Sequence, residues 1–134
     1  MIIDTSAIVA IIFEEPEREQ MLEAVSTADR CFMSTATLFE TSIVIDGTND
    51  VVLTAAFDNL IDDLGIQPVD LTVRHVWLAR QAYRAYGKGS GHPARLNFGD
   101  CFSYALAIDL GEPLLFKGND FIHTDVRIAQ SPTP

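Results

Sequence analysis

Little in this chain supports a disulfide scaffold, a membrane anchor or a basic nucleic-acid arm. There are only two cysteines, Cys31 and Cys101, in no CxxC pair and no zinc-ligand spacing. Each sits among apolar residues, as a buried thiol does, and a disulfide is not expected in a cytosolic chain. No apolar run is long enough to cross a bilayer. The opening Met1-Ile2-Ile3-Asp4 carries an acid where a secretory signal would carry base, so a cytoplasmic protein is expected. Internal repeats and low-complexity linkers are lacking. The glycines of the one flexible loop, Gly87 to Pro93, have neither Walker nor dinucleotide spacing. The 134 residues, 48% hydrophobic, suit a single domain over 1–134, with 131–134 as a frayed tail.

Positive charge is also scarce, with 9 Lys and Arg against 19 Asp and Glu, a formal charge of -10. That balance argues against a polyanionic partner. The distribution is uneven, however. From Arg74 to Arg95 there is no acid, and Arg74, Arg80, Arg84, Lys88 and Arg95 lie there with His75 and His92. The stretch reads either as a solvated helix face and polar loop or as a local strip that attracts phosphate. Local potential decides where a polyanion docks, and an acidic surface elsewhere suits a basic protein partner.

Short apolar segments alternate with helical ones. Strands are expected at 1–4, 31–33, 66–69 and 114–116, with a last one at 126–128. Helices are expected over 7–13 with Ser6 as cap, 17–27, 36–46 capped by Ser34 or Thr35, 51–64, 71–86, and from Asn97 to about 109 with Gly111 as C-cap. Within 51–64, Ala55, Leu60 and Leu64 are read as inward. Within 71–86, Val73, Val76, Trp77, Ala79, Ala82 and Tyr83 form the apolar stripe, with Trp77 in the core. This alternation predicts an α/β fold with a mainly parallel central sheet covered by helices on both faces.

Against that pattern four acids are misplaced. Asp4 ends the first strand, Glu40 lies on a mostly apolar helix face, Asp100 opens a strongly apolar helix, and Asp120 follows a late strand. Each has an ordinary explanation. Asp4 suits an Asx-turn, Glu40 a boundary residue reaching water, Asp100 a capping box with Asn97, and Asp120 a plain turn. Asp4 and Asp120 both follow strands, and Asp100 lies in a helix first turn, so topology alone brings three of them to one sheet edge. Glu40 joins them only if its helix runs beside the first strand. Packed carboxylates repel, and burial is costly unless a cation holds them. A divalent metal site for phosphodiester chemistry follows if they meet. Magnesium keeps several waters and takes one or two carboxylates directly, leaving the other acids to hold or orient water. Thr5 and Ser6 could then supply donors, and Lys117 and Asn119 could contact phosphate.

Four segments carry a resemblance: Ile2-Ile3-Asp4-Thr5-Ser6-Ala7, Met33-Ser34-Thr35-Ala36 leading to Glu40-Thr41, Leu96-Asn97-Phe98-Gly99-Asp100-Cys101, and Leu115-Phe116-Lys117-Gly118-Asn119-Asp120-Phe121. In order and approximate spacing the chain resembles PIN-domain proteins, and more closely the VapC toxins of bacterial toxin–antitoxin (VapBC) pairs. The resemblance implies a PIN-like three-layer fold and a metal-dependent endoribonuclease with Asp4, Glu40, Asp100 and Asp120 as its catalytic acids. Asp4 and Asp100 would bind Mg2+, with Mn2+ able to substitute, and Glu40 would position water. It also implies a homodimer held inactive by a VapB-type antitoxin whose basic tail enters the acidic groove. Arg84 and Lys88 would help hold RNA. A receiver-like domain fits less well, because only Asp4 follows the first strand and Cys31-Phe32-Met33-Ser34 offers no acid. A haloacid-dehalogenase phosphatase needs a second acid that Asp4-Thr5-Ser6 lacks. A non-catalytic acidic binding module stays open.

Overall fold

Two isoleucines make the central strand and join the two halves of the core. In the computed structural model, which describes residues 1–129, β1 (Ile2–Ile3) pairs in parallel with β2 (Cys31–Ser34) on one side and β4 (Leu114–Leu115) on the other. Successive strand residues face opposite sides of a sheet. Ile3 therefore packs with Met33 and Leu115, while Ile2 packs with Leu114 and Phe32. Each isoleucine is fully buried, which stabilises the fold by about 1.5–3 kcal/mol per side chain. The expected tail at 131–134 lies outside the described residues.

The sheet order is β3-β2-β1-β4, all parallel, with β3 spanning Ile66–Val69. On one face lie α1 (Thr5–Ile12), α2 (Arg18–Thr27), α3 (Thr35–Asp46) and α4 (Val51–Asp63). On the other lie α5 (Val73–Tyr86) and α6 (Phe98–Leu110). This is the three-layer architecture expected. The chain walks from β1 through β2 to β3, then crosses back to place β4 on the far side of β1. The switch point therefore falls between β1 and β4, where parallel α/β sheets open a ligand crevice at the strand carboxyl ends.

Several local expectations need correction. Asp4, rather than Ser6, caps α1: its side chain accepts from the Ser6 amide. That two-residue shift puts the carboxylate at the junction of strand and helix. In α4, Ala55 is exposed, and Phe57 and Ile61 are buried instead, with Leu60 and Leu64 partly buried against them. The segment 126–128 makes one bridge, Leu114 to Ile128, rather than a strand.

The largest departure is in α5. Val73, Val76, Trp77 and Tyr83 are exposed, Trp77 by 54%. The buried stripe is His75, Ala79 and Ala82, one turn apart in succession, with Leu78 and Tyr86 partly buried. Facing them, α6 buries Cys101 and Ala105, while its Gly99 and Ser103 turn the other way, toward Glu40 and Asp4. Small residues on both sides let the two helices approach closely, and such a seam has no room for an indole. Size chose the inward stripe where hydrophobicity alone pointed to the larger residues. His75 is accommodated because its polar atoms are satisfied: Nδ1 accepts from the Thr72 amide and Nε2 lies 2.8 Å from Asp109 Oδ2. With Nδ1 accepting, the proton belongs on Nε2, which donates to Asp109.

Candidate active site

Asp4 stands at the end of the central strand because an N-cap needs a short acceptor with extended backbone, which Asp supplies. It is 4% exposed. Its Oδ2 accepts from the amide of Ser6 at 3.0 Å and from the Ser6 hydroxyl at 2.7 Å, and Oδ1 accepts from the Ser103 hydroxyl at 2.6 Å. Ser103 in turn lies 3.3 Å from Thr37 Oγ1; with its own proton committed to Asp4, it is the acceptor of that pair. The Ser6 hydroxyl also accepts from the Lys117 amide at 2.9 Å, tying the exit of β4 to the same carboxylate. A buried charge in such a place requires this many partners.

Glu40 comes from α3, whose N-terminus Ser34 caps at the end of β2. Because α3 packs against α1, Glu40 Oε1 meets the Thr5 hydroxyl at 2.6 Å, and the Thr41 hydroxyl lies 2.9 Å from that of Thr5. Burial pushes the Glu40 carboxyl above its usual range; the Thr5 hydrogen bond opposes this and the charge of Asp4 adds to it.

Asp100 is the third residue of α6 and forms a capping box with Asn97: its Oδ2 accepts from the Asn97 amide at 2.9 Å, and Asn97 Oδ1 accepts from the Asp100 amide at 2.9 Å. The ordinary and the chemical readings of this acid thus hold together. Burial pushes Asp100 up from 3.8 to about 7; the bond from Asn97 opposes the shift, and Asp4, Asp120 and Glu40 add repulsion. Asp120 is exposed and precedes the short 3-10 turn Phe121–His123 with no capping bond of its own.

All four acids line one cleft of about 300 Å³, together with Thr5, Ser6, Asn97 and Lys117. Larger hollows on the surface contain none of these acids. The phosphate contacts expected from sequence divide. Lys117 lines the cleft, but its Nζ is drawn to Glu15 and lies 3.2 Å from Glu17. Asn119 is exposed and does not line the cleft; nor do Arg84 and Lys88, both exposed. Arg74 leaves the basic strip altogether, its Nε donating to Asp109 at 2.6 Å.

The donor set fits a hard divalent cation. It is all oxygen, concave, and holds an acid whose proton affinity is raised by burial and, to a smaller extent, by neighbouring carboxylates. Among the described residues no group of three His, Cys, Asp or Glu stands ready to cage an ion. Magnesium and manganese do not require such a cage, since one or two carboxylates and several waters suffice. Ser103 escaped the reading of the sequence, although a hydroxyl three residues after Asp100 shares its helix face. Glu15 and Glu17 gave no local signal, because only folding brings them to Lys117.

Comparison with known proteins shows the family. The PIN domain family pattern matches residues 1–127. Ribonuclease VapC28 of Mycobacterium tuberculosis is 50% identical over 129 residues, covering 96% of this chain and 97% of that protein. Ribonuclease VapC42 of the same species is 46% identical, covering 96% and 98%. Among solved structures, M. tuberculosis VapC20, described as a sarcin–ricin loop cleaving toxin, superposes with a TM-score of 0.74 at 15% identity, covering 96% of this chain and 98% of that one. VapBC2 of Rickettsia felis, bound to a DNA fragment from its promoter, gives 0.74 at 14% identity, covering 95% and 94%. At those identities the structures speak for the fold alone.

Proposed function

The chain belongs to the PIN-domain family, and from that premise we propose that it is a divalent-metal-dependent endoribonuclease, the toxin of a VapBC-type toxin–antitoxin pair. The observation that carries this reading is the cleft: acids from positions 4, 40, 100 and 120 line one hollow at the switch point of the sheet. Relatives named ribonucleases, alike over nearly the whole chain, support the reaction class.

In this proposal Asp4 and Asp100 hold the ion, which is magnesium, with manganese able to replace it. A bound ion supplies charge neutralisation at the scissile phosphate and acidifies a coordinated water. Asp4 is kept in one orientation by Ser6 and Ser103. Asp100 is kept in one by Asn97 and must lose its proton to bind a cation. Glu40, held by Thr5 and with its proton affinity raised, orients the attacking water and accepts its proton as the water oxygen bonds to phosphorus and the ester P–O bond breaks, the departing sugar oxygen taking a proton from solvent. Asp120, at the rim, orients solvent. Ser6 and Thr5 approach the same space with hydroxyl groups. Lys117 reaches phosphate only by leaving Glu15 and Glu17.

The partner is a VapB-type antitoxin with a basic tail that competes with RNA for the acidic cleft, as the VapBC complexes among the structural relatives suggest. Both meet the toxin in the cytoplasm, and no described helix is long and apolar enough to cross a membrane. Exposed Val76, Tyr83 and Phe98, which border an apolar hollow of about 210 Å³ between α5 and α6, support a homodimer.

Asp4→Ala, Asp100→Asn and Glu40→Gln, assayed on structured RNA, test the proposal. Each is expected to lose at least about 100-fold in cleavage while keeping the circular dichroism spectrum of the parent. Parent-like cleavage by either aspartate variant would remove the metal-ligand assignment.

A further inference from the structure

Glu40 reaches the cleft only because position 99 has no side chain. Gly99 is buried in the first turn of α6, immediately before Asp100. A methyl group built on its Cα would lie 2.5 Å from Cδ of Glu40 and 2.8 Å from Oε1, and nearer still to Oε2. No alanine tolerates such an approach. The backbone gives no reason for glycine there, since Gly99 is helical and is not among the glycines with positive φ. Glycine also weakens a helix relative to alanine. What the missing Cβ provides is space for a carboxylate. On its other side that carboxylate meets the Thr5 hydroxyl at 2.6 Å.

We propose that Gly99 is a positioning residue: it is the slot that lets the Glu40 carboxylate from α3 lie against the first turn of α6, beside Asp100, with Thr5 as the opposing clamp. Any side chain at 99 expels Glu40 from the cleft. The fold survives the change, because the obstacle is the tip of a flexible side chain that is only half-buried and can swing to water. The slot is a matter of packing and stands independently of the reaction; its effect on cleavage rests on the ribonuclease reading above.

The test is a double-mutant cycle of parent, Gly99→Ala, Glu40→Ala and the pair, read by thermal melting without metal and by RNA cleavage with it. Once Glu40→Ala has emptied the slot, adding Gly99→Ala should raise the melting temperature, as alanine does in an unobstructed helix. With Glu40 present the same change should raise it less, or lower it. In cleavage, Gly99→Ala should lose about 100-fold, as a displaced catalytic group does, and the pair should lose no more than Glu40→Ala alone. An equal melting shift in both backgrounds would overturn the slot. Parent-like cleavage by Gly99→Ala would overturn its positioning role. If the parent cleaves no RNA but the melting shifts differ as expected, the slot stands and the ribonuclease reading falls.

Discussion

At the scale of single residues, Asp100 makes the most distinctive statement. Burial is the chief cause that pushes its carboxyl from 3.8 up to about 7 in the folded chain. Between those values the folded chain binds a proton that the unfolded chain does not, so the proton stabilises the fold there. Stability without metal should therefore decline as pH rises from about 4 to about 7 and level off above. Glu40, shifted in the same direction, adds to the decline. Asp100→Asn keeps an oxygen for the Asn97 amide and removes the charge, so at pH 8 the variant should melt higher than the parent in chelator and cleave nothing. Thermal melts at several pH values check this; a parent whose melting point rises across that window contradicts it. Since proton and cation compete for Asp100, cleavage should climb with pH through about 7. Ser103→Ala removes a buried donor from Asp4 and should destabilise the fold by about 1–3 kcal/mol, measurable by urea denaturation.

Among structural elements, helix starts were far more legible than helix faces. Asn97, Gly99 and Asp100 announced the head of α6 through local chemistry, since a capping box needs only residues three apart. Asn97→Ala should accordingly cost about 1 kcal/mol and also lower cleavage, because the amide and side chain of residue 97 aim Asp100. Of the inward face of α5 only Ala79 and Ala82 were legible. Its sequence offers two apolar stripes, one large and one small, and the choice depends on what α6 presents across the seam. Ala79 and Ala82 won because α6 presents cysteine and alanine there. That outcome leaves Val76 and Tyr83 exposed. Tyr83→Glu should leave the melting temperature nearly unchanged and shift a dimer toward monomer in light scattering; an unaltered mass would move the dimer contact elsewhere. Capping of α1 by Asp4 was missed by two residues, since Ser6 is an equally good cap in sequence and only the position of β1 decides between them.

For the whole molecule, the informative relation is between acids far apart in sequence. Asp4 and Asp120 were traceable to one edge because both follow strands of a parallel sheet. Glu40 was not, because its approach depends on α3 packing against α1, with Thr5 and Gly99 leaving room for its carboxylate. Sequence proximity likewise misled over charge. Arg74 is occupied by Asp109, while Arg84 and Lys88 remain exposed on and just beyond the last turn of α5. If these two hold RNA in a chain of net charge -10, neutralising both should weaken RNA binding, and more so at low salt than at high salt. Fluorescence anisotropy at two ionic strengths reads this directly.

That four acids gathered at the switch point form a cation-dependent site for RNA hydrolysis is the proposal made for this chain. It is tested most directly by incubating the purified chain, free of any antitoxin, with a pool of structured RNAs in magnesium, in manganese and in chelator, beside Asp4→Ala. Discrete cleavage products are expected in either metal, none in chelator, and none from Asp4→Ala. Cleavage that persists in chelator, or that Asp4→Ala carries out as the parent does, would contradict it.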